Sequence, residues 1–131
     1  MMSDTKKGTI LYVEDNSDNR SLVRRVLGAE GYLVIDAINA KQAFEKLESG
    51  SFDLILMDIN IPDMDGYTLT ARIKGMKKYS IIPIIAVTAN VMRGDREKSL
   101  EAGCDGYIQK PIDIDAISMQ IEKFITRSAN V

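Results

Sequence analysis

The sequence contains no histidine and a single cysteine, Cys104. These scarcities exclude tetrahedral zinc sites of the His/Cys type, internal disulfides, and Ser-His-Asp or Cys-His nucleophile systems. An excess of one charge is also missing: 17 Lys and Arg stand against 19 Asp and Glu, a formal net charge of −2. No basic footprint for a nucleic-acid backbone is present. No apolar run approaches the ~18 residues of a membrane span. The stretch Met1 to Gly8 lacks the apolar core of a secretory signal. Repeats and low-complexity tracts are absent too. What remains is a chain of 131 residues, 45% apolar and 27% charged, the composition of one soluble globular domain.

Short apolar runs alternate with amphipathic ones. Ile10-Leu11-Tyr12-Val13, Leu33-Val34-Ile35, Leu54-Ile55-Leu56-Met57, Ile84-Ile85-Ala86-Val87 and Tyr107-Ile108 read as five strands covered on both faces. Helical spacing fills the gaps. Leu22, Val23, Val26 and Leu27 share a face behind Asn16-Ser17-Asp18. Ala40, Ala43, Phe44 and Leu47 share another, with Asn39 as cap, Gln42 three residues on and Gly50 as stop. Leu69, Ile73 and Met76 predict a third helix after Asp65-Gly66. Residues 91–102, rich in charge and interrupted by Gly94, give the weakest pattern. Ile114, Ile117, Ile121 and Phe124 predict a last helix ending near Arg127. A β-α unit repeated five times implies an α/β fold, with a parallel doubly wound sheet and helices on both faces.

The informative polar residues sit where the apolar strands end. In open α/β sheets ligands bind beyond the carboxyl ends of the strands, where strand order reverses. Glu14 and Asp15 follow the first strand, Asp58 the third, Thr88 the fourth and Lys110 the fifth. If the first and third strands are neighbours, three carboxylates converge and raise one another's pKa. A hard divalent cation relieves that repulsion, and oxygen-only ligands point to Mg²⁺. Three carboxylates, one Mg²⁺ and the Lys110 ammonium sum to zero formal charge, so the site can receive an anion. A transferring phosphoryl group needs such a clamp. Asp58 is best placed to act as nucleophile and form an acyl phosphate. Glu14 and Asp15 suit the metal.

Four segments carry a family likeness. They are Ile10-Leu11-Tyr12-Val13-Glu14-Asp15-Asn16, the run from Leu56 through Asp58 to Asp65-Gly66, Ala86-Val87-Thr88-Ala89, and Gly106-Tyr107-Ile108-Gln109-Lys110-Pro111. Together, in order and with their spacing, they resemble the receiver domain of two-component response regulators, from about residue 8 to residue 125. The resemblance implies a five-stranded sheet in the flavodoxin-like order 2-1-3-4-5. It implies a receiver over residues 8–127, an N-terminal tail over residues 1–7, no effector domain, and the stand-alone type of receiver acting in the cytoplasm.

It also implies roles. Asp58 would take a phosphoryl group from a histidine kinase or histidine phosphotransfer protein. Glu14, Asp15, Asp58 and the main-chain carbonyl of Asn60 would hold Mg²⁺. Lys110 would pair with the phosphoryl oxygens, and its bond to Pro111 would be cis. Thr88 would move toward the phosphoryl group and Tyr107 would turn inward behind it. The face formed by the fourth helix, fifth strand and fifth helix would then bind a downstream protein differently. Such a protein is a signalling switch, not an enzyme in the usual sense, although it promotes its own phosphorylation and hydrolysis. Asn60 and Asn90 would flank the path of the hydrolytic water.

Two other classes share parts of the pattern. Phosphatases resembling the haloacid dehalogenase group use an Asp nucleophile with Thr, Lys and acids, but place it after the first strand with a second Asp two residues on. Here position 60 is Asn. A flavodoxin-like electron carrier would need a hydroxyl- and Gly-rich loop where Glu14 and Asp15 stand. Of the other conspicuous residues, Cys104 reads as a small buried apolar group. Met64, Met76, Met92 and Met119 read as packing residues. Arg93, Arg96 and Lys98 read as a solvated face that a partner could use.

Overall fold

The computed structural model describes residues 7–89 and 95–129, without the side chains of residues 95, 96 and 126–129. Asn90, Met92, Arg93, Gly94, the Arg96 side chain and the tail before Lys7 lie outside the described residues. The order is β1 (Gly8–Val13), α1 (Ser17–Ala29), β2 (Tyr32–Ala37), α2 (Ala40–Ser49), β3 (Leu54–Asp58), α3 (Gly66–Lys74), β4 (Ile84–Thr88), α4 (Asp95–Ala102), β5 (Gly106–Gln109) and α5 (Ile117–Ala129). All four strand pairings are parallel, in the order β2-β1-β3-β4-β5. This is the doubly wound flavodoxin-like arrangement expected from the sequence.

Two apolar cores sandwich the sheet, because neighbouring residues along a strand point to opposite faces. Leu11, Val13, Ile55, Met57, Ile84 and Ala86 face one core, with Ala43 and Leu47 of α2 and Leu69 and Ile73 of α3. Ile10, Leu54, Leu56, Ile85 and Val87 face the other, with Val23 and Leu27 of α1 and Ile117 and Ile121 of α5. Leu69 is fully buried, which stabilises the fold by roughly 1.5–3 kcal/mol. Cys104 lies in the first core, and burial pushes its thiol up to about 11.

Several boundaries differ from expectation. Asp58 and Thr88 are the last residues of β3 and β4, not the first residues beyond them. The edge strand β2 is covered unevenly, and Leu33 is 39% exposed. The apolar spacing overruns two helix ends. Met76 lies past α3 and Ile114 precedes α5, and both are exposed. Met119 is likewise exposed, so it and Met76 are not packing residues. Helix α5 continues two residues beyond Arg127.

Candidate functional site

Register brings the acids together. Val13 of β1 pairs with Met57 of β3, so the next residues, Glu14 and Asp58, emerge side by side. The Glu14 N–H donates to Ala37 O at 2.8 Å, and the Ile59 N–H to Val87 O at 3.2 Å. These bonds carry the ladder just past the strand ends. Carboxylate oxygens of Glu14, Asp15 and Asp58 all lie within 4.8 Å of one another. Glu14 and Asp58 are buried and Asp15 is exposed, so the cluster opens to solvent on one side.

Lys110 reaches the same point from the end of β5. Its N–H donates to Thr88 O at 2.8 Å. Its Nζ lies 3.2 Å from Asp58 Oδ1 and 3.4 Å from Glu14 Oε1. The bond from Lys110 to Pro111 is cis. Asn60 sits beside Asp58, its N–H donating to Oδ1 at 3.1 Å. Thr88 is buried at the tip of β4, whereas Tyr107 on β5 is 36% exposed.

The electrostatics are those of a site built for a cation. Burial is the main reason the Glu14 carboxyl is held above its ordinary value, and the Asp58 carboxylate adds to it. Lys110 and the Asn16 N–H pull the other way. A buried acid held up by a like charge is relieved by a bound divalent cation. The all-oxygen donor set, with one exposed acid through which water could complete the shell, fits Mg²⁺.

Three contributors were not apparent in the sequence, and a fourth, Gly66, was read there only as part of a helix start and a motif. Tyr12 hydrogen-bonds Glu14 through its hydroxyl. Asn19 and Arg20 of α1 donate to the Glu14 side chain and carbonyl. Gly66 lets α3 start against the site, because a Cβ there would fall 2.6 Å from Asp58 O and 2.6 Å from Ile59 Cα. The period-2 relation of Tyr12 to Glu14 and the one-turn spacing from Asn16 to Arg20 were the available signals.

A family model described as the response regulator receiver domain matches residues 10–122. The chain belongs to that family. The match takes in β1 from Ile10 onward, the other four strands and every acid of the cluster. The receiver is 37% identical to the polar-differentiation response regulator DivK of Brucella anthropi, over 89% of this chain and 95% of DivK. It is 35% identical to the sensor histidine kinase RcsC of Escherichia coli, over 96% of this chain but only 13% of that kinase. Among solved structures, the receiver domain of sensor histidine kinase PA1611 from Pseudomonas aeruginosa superposes with a TM-score of 0.83 at 36% identity, over 91% of this chain and 98% of that one. That structure has a magnesium ion coordinated in its active-site cleft. Receiver domains are signalling switches, and phosphorylation by a kinase is the family's general role. The assignment sets aside the phosphatase and flavodoxin readings. Among the described residues, no helix is long and apolar enough to cross a membrane.

Proposed function

We propose that this receiver accepts a phosphoryl group on Asp58 from a histidine kinase or histidine phosphotransfer protein, with Mg²⁺ held by Glu14, Asp15, Asp58 and the Asn60 carbonyl. The observation that carries this reading is the meeting of three carboxylates within 4.8 Å with the Lys110 ammonium 3.2 Å from Asp58. A magnesium-bearing neighbour at 36% identity and a kinase relative, RcsC, support it.

In the proposed step a carboxylate oxygen of Asp58 attacks the phosphorus of a phosphohistidine. The P–N bond breaks, and the leaving imidazole keeps the electron pair and takes a proton from solvent. Bound Mg²⁺ would offset charge on the phosphoryl oxygens. Lys110 offsets more from the opposite side. Both Lys110 and the Asn60 N–H contact Oδ1, so Oδ2 takes neither of these bonds. A cleft of about 350 Å³ beside Lys110, lined by Asn19, Leu22, Ala89, Pro111 and Ile112 among others, suits the approach of a donor protein.

Phosphorylation adds about −1.5 to −2 charge at the tip of β3. Thr88, buried at the neighbouring strand tip, then shifts toward the new oxygens, and Tyr107 turns from its part-exposed position into the space vacated. Leu100 of α4 and Tyr107 of β5, both exposed, belong to the face this would remodel for a downstream protein. The change is a shift between two pre-existing states, limited by how differently the phosphoryl group contacts each. The match over 95% of DivK supports the reading of this chain as a response regulator receiver.

A phosphotransfer profile against the histidine kinases of the source organism tests this reading. Rapid transfer from at least one kinase, lost in Asp58→Ala, is expected. Pull-down with beryllofluoride-treated protein should then capture a partner that the untreated protein does not. Transfer that survives in Asp58→Ala, or none from any kinase, would refute the assignment.

A further inference from the structure

Strand β1 projects alternate side chains to opposite faces, so Tyr12 and Glu14 point the same way. Tyr12 is fully buried among the side chains of Ile10, Leu54 and Leu56. Its hydroxyl donates to Glu14 Oε1 at 3.0 Å. A buried phenol needs an acceptor, since an unpaired one is costly. The informative fact is which acceptor it has: a carboxylate oxygen of the acid cluster itself.

The same oxygen takes Asn19 Nδ2 at 3.4 Å and faces Lys110 Nζ at 3.4 Å. Oε2 meets the Asn16 N–H at 3.3 Å. Arg20 Nη1 holds the Glu14 carbonyl at 3.0 Å. Main chain and side chain of Glu14 are thus both tethered, and Oε1 is crowded with donors. Of those donors, only Tyr12 approaches from inside the apolar core, where its ring has no freedom to follow a moving carboxylate.

We propose that Tyr12 is a positioning residue for the cation site: its buried hydroxyl holds Oε1 and so fixes the Glu14 carboxylate in the orientation the metal needs. The inference rests on the reading of Glu14, Asp15 and Asp58 as a magnesium site. It goes beyond that reading in assigning the preorganisation of the site to a core residue that never touches the metal. A tyrosine that merely satisfies its own hydroxyl would matter for stability alone. A positioning tyrosine matters for affinity.

The test compares wild type with Tyr12→Phe, which keeps the ring and removes the hydroxyl. Mg²⁺ is titrated into each unphosphorylated protein by calorimetry. Thermal unfolding in EDTA serves as the measure of stability. The chain has five tyrosines and no tryptophan, so a near-ultraviolet difference spectrum reports tyrosine environments directly. The expected result is about tenfold weaker Mg²⁺ binding in Tyr12→Phe, the low end for a hydrogen-bond partner of a metal-binding group. A magnesium-induced tyrosine difference band should be present in wild type and largely lost in the variant.

Equal or tighter Mg²⁺ binding by Tyr12→Phe overturns this inference and leaves the magnesium site standing. A wild type that binds no Mg²⁺ removes both. Should the variant unfold, the wild-type spectrum decides alone: Mg²⁺ binding without a tyrosine difference band also overturns the inference.

Discussion

Glu14 is a carboxylate placed where a carboxylate is uncomfortable. It is 1% exposed, and burial, then Asp58, raises its pKa above the ordinary 4.5. The folded state therefore binds a proton more readily than the unfolded state. Stability falls as pH rises from 4.5 through the folded pKa, and the deficit persists above it. In EDTA, Glu14→Gln should melt higher than wild type at neutral pH, with the advantage shrinking as pH falls toward 4.5. Thermal melts of both proteins from pH 4.5 to 8 check this. A gap that widens on acidification would contradict it. At this scale the sequence was informative where a polar residue ends an apolar run, as at Glu14 and Asp58, or stands just beyond one, as at Lys110. Tyr12 sits inside such a run, where an aromatic reads as core. The period-2 spacing puts it on the side of Glu14, but the hydroxyl bond also depends on a rotamer that spacing alone does not fix.

Elements hold the site through their ends. The loop from β3 to α3 is pinned at both sides. Asp63 accepts the N–H groups of Ala40 and Lys41 at 2.8 and 3.2 Å, tying the loop to the start of α2. Asp65 caps α3, accepting the Tyr67 N–H at 2.8 Å and the Thr68 hydroxyl at 2.7 Å. The Thr68 hydroxyl is the main reason the Asp65 carboxyl lies below its ordinary 3.8. That stabilisation is present above pH 3.8 and is lost as pH falls through the folded pKa. Asp65→Ala should cost about 1 kcal/mol at neutral pH, measured by urea unfolding, and less below pH 3.8.

Gly66→Ala acts differently at the same helix start. Its Cβ would press on Asp58 O and Ile59 Cα, so a loss of roughly 1–3 kcal/mol is expected. Mg²⁺ binding should weaken as well, read by calorimetry. Wild-type affinity in a destabilised Gly66→Ala would contradict the close packing of α3 on the site. Helix starts were legible from Asn16, Asn39 and Asp65, whose side chains do cap. Helix ends were less so. Apolar spacing continues through Met76 and back to Ile114, where the backbone has left the helix. Periodicity alone does not register that.

The sheet as a whole explains why residues from four distant stretches meet. Each acid or base lies at a strand's carboxyl end, and the order β2-β1-β3-β4-β5 sets β1 and β3 side by side. Alternation of strands and helices gave the fold class. Strand order is not written in any single strand, and only the combined motifs pointed to it. The open sides of β2 and β5 escaped the pattern because edge position is a property of the assembled sheet. A cation that binds only the folded chain stabilises it by mass action, about 2.7 kcal/mol at a hundred times Kd. Saturating Mg²⁺ should raise the urea midpoint accordingly and EDTA should reverse it. Asp58→Ala should reduce the gain. No shift with Mg²⁺ would contradict an assembled cation site.

The central claim is that this assembled crevice makes Asp58 a magnesium-dependent phosphoryl acceptor. Intact-mass spectrometry after incubation with acetyl phosphate, followed by fragmentation, measures it most directly. The account predicts one added phosphoryl group, mapped to Asp58, formed with Mg²⁺ and missing both in EDTA and in Asp58→Ala. An unmodified wild type in the presence of Mg²⁺, or a phosphoryl group mapped to any other residue, would contradict it.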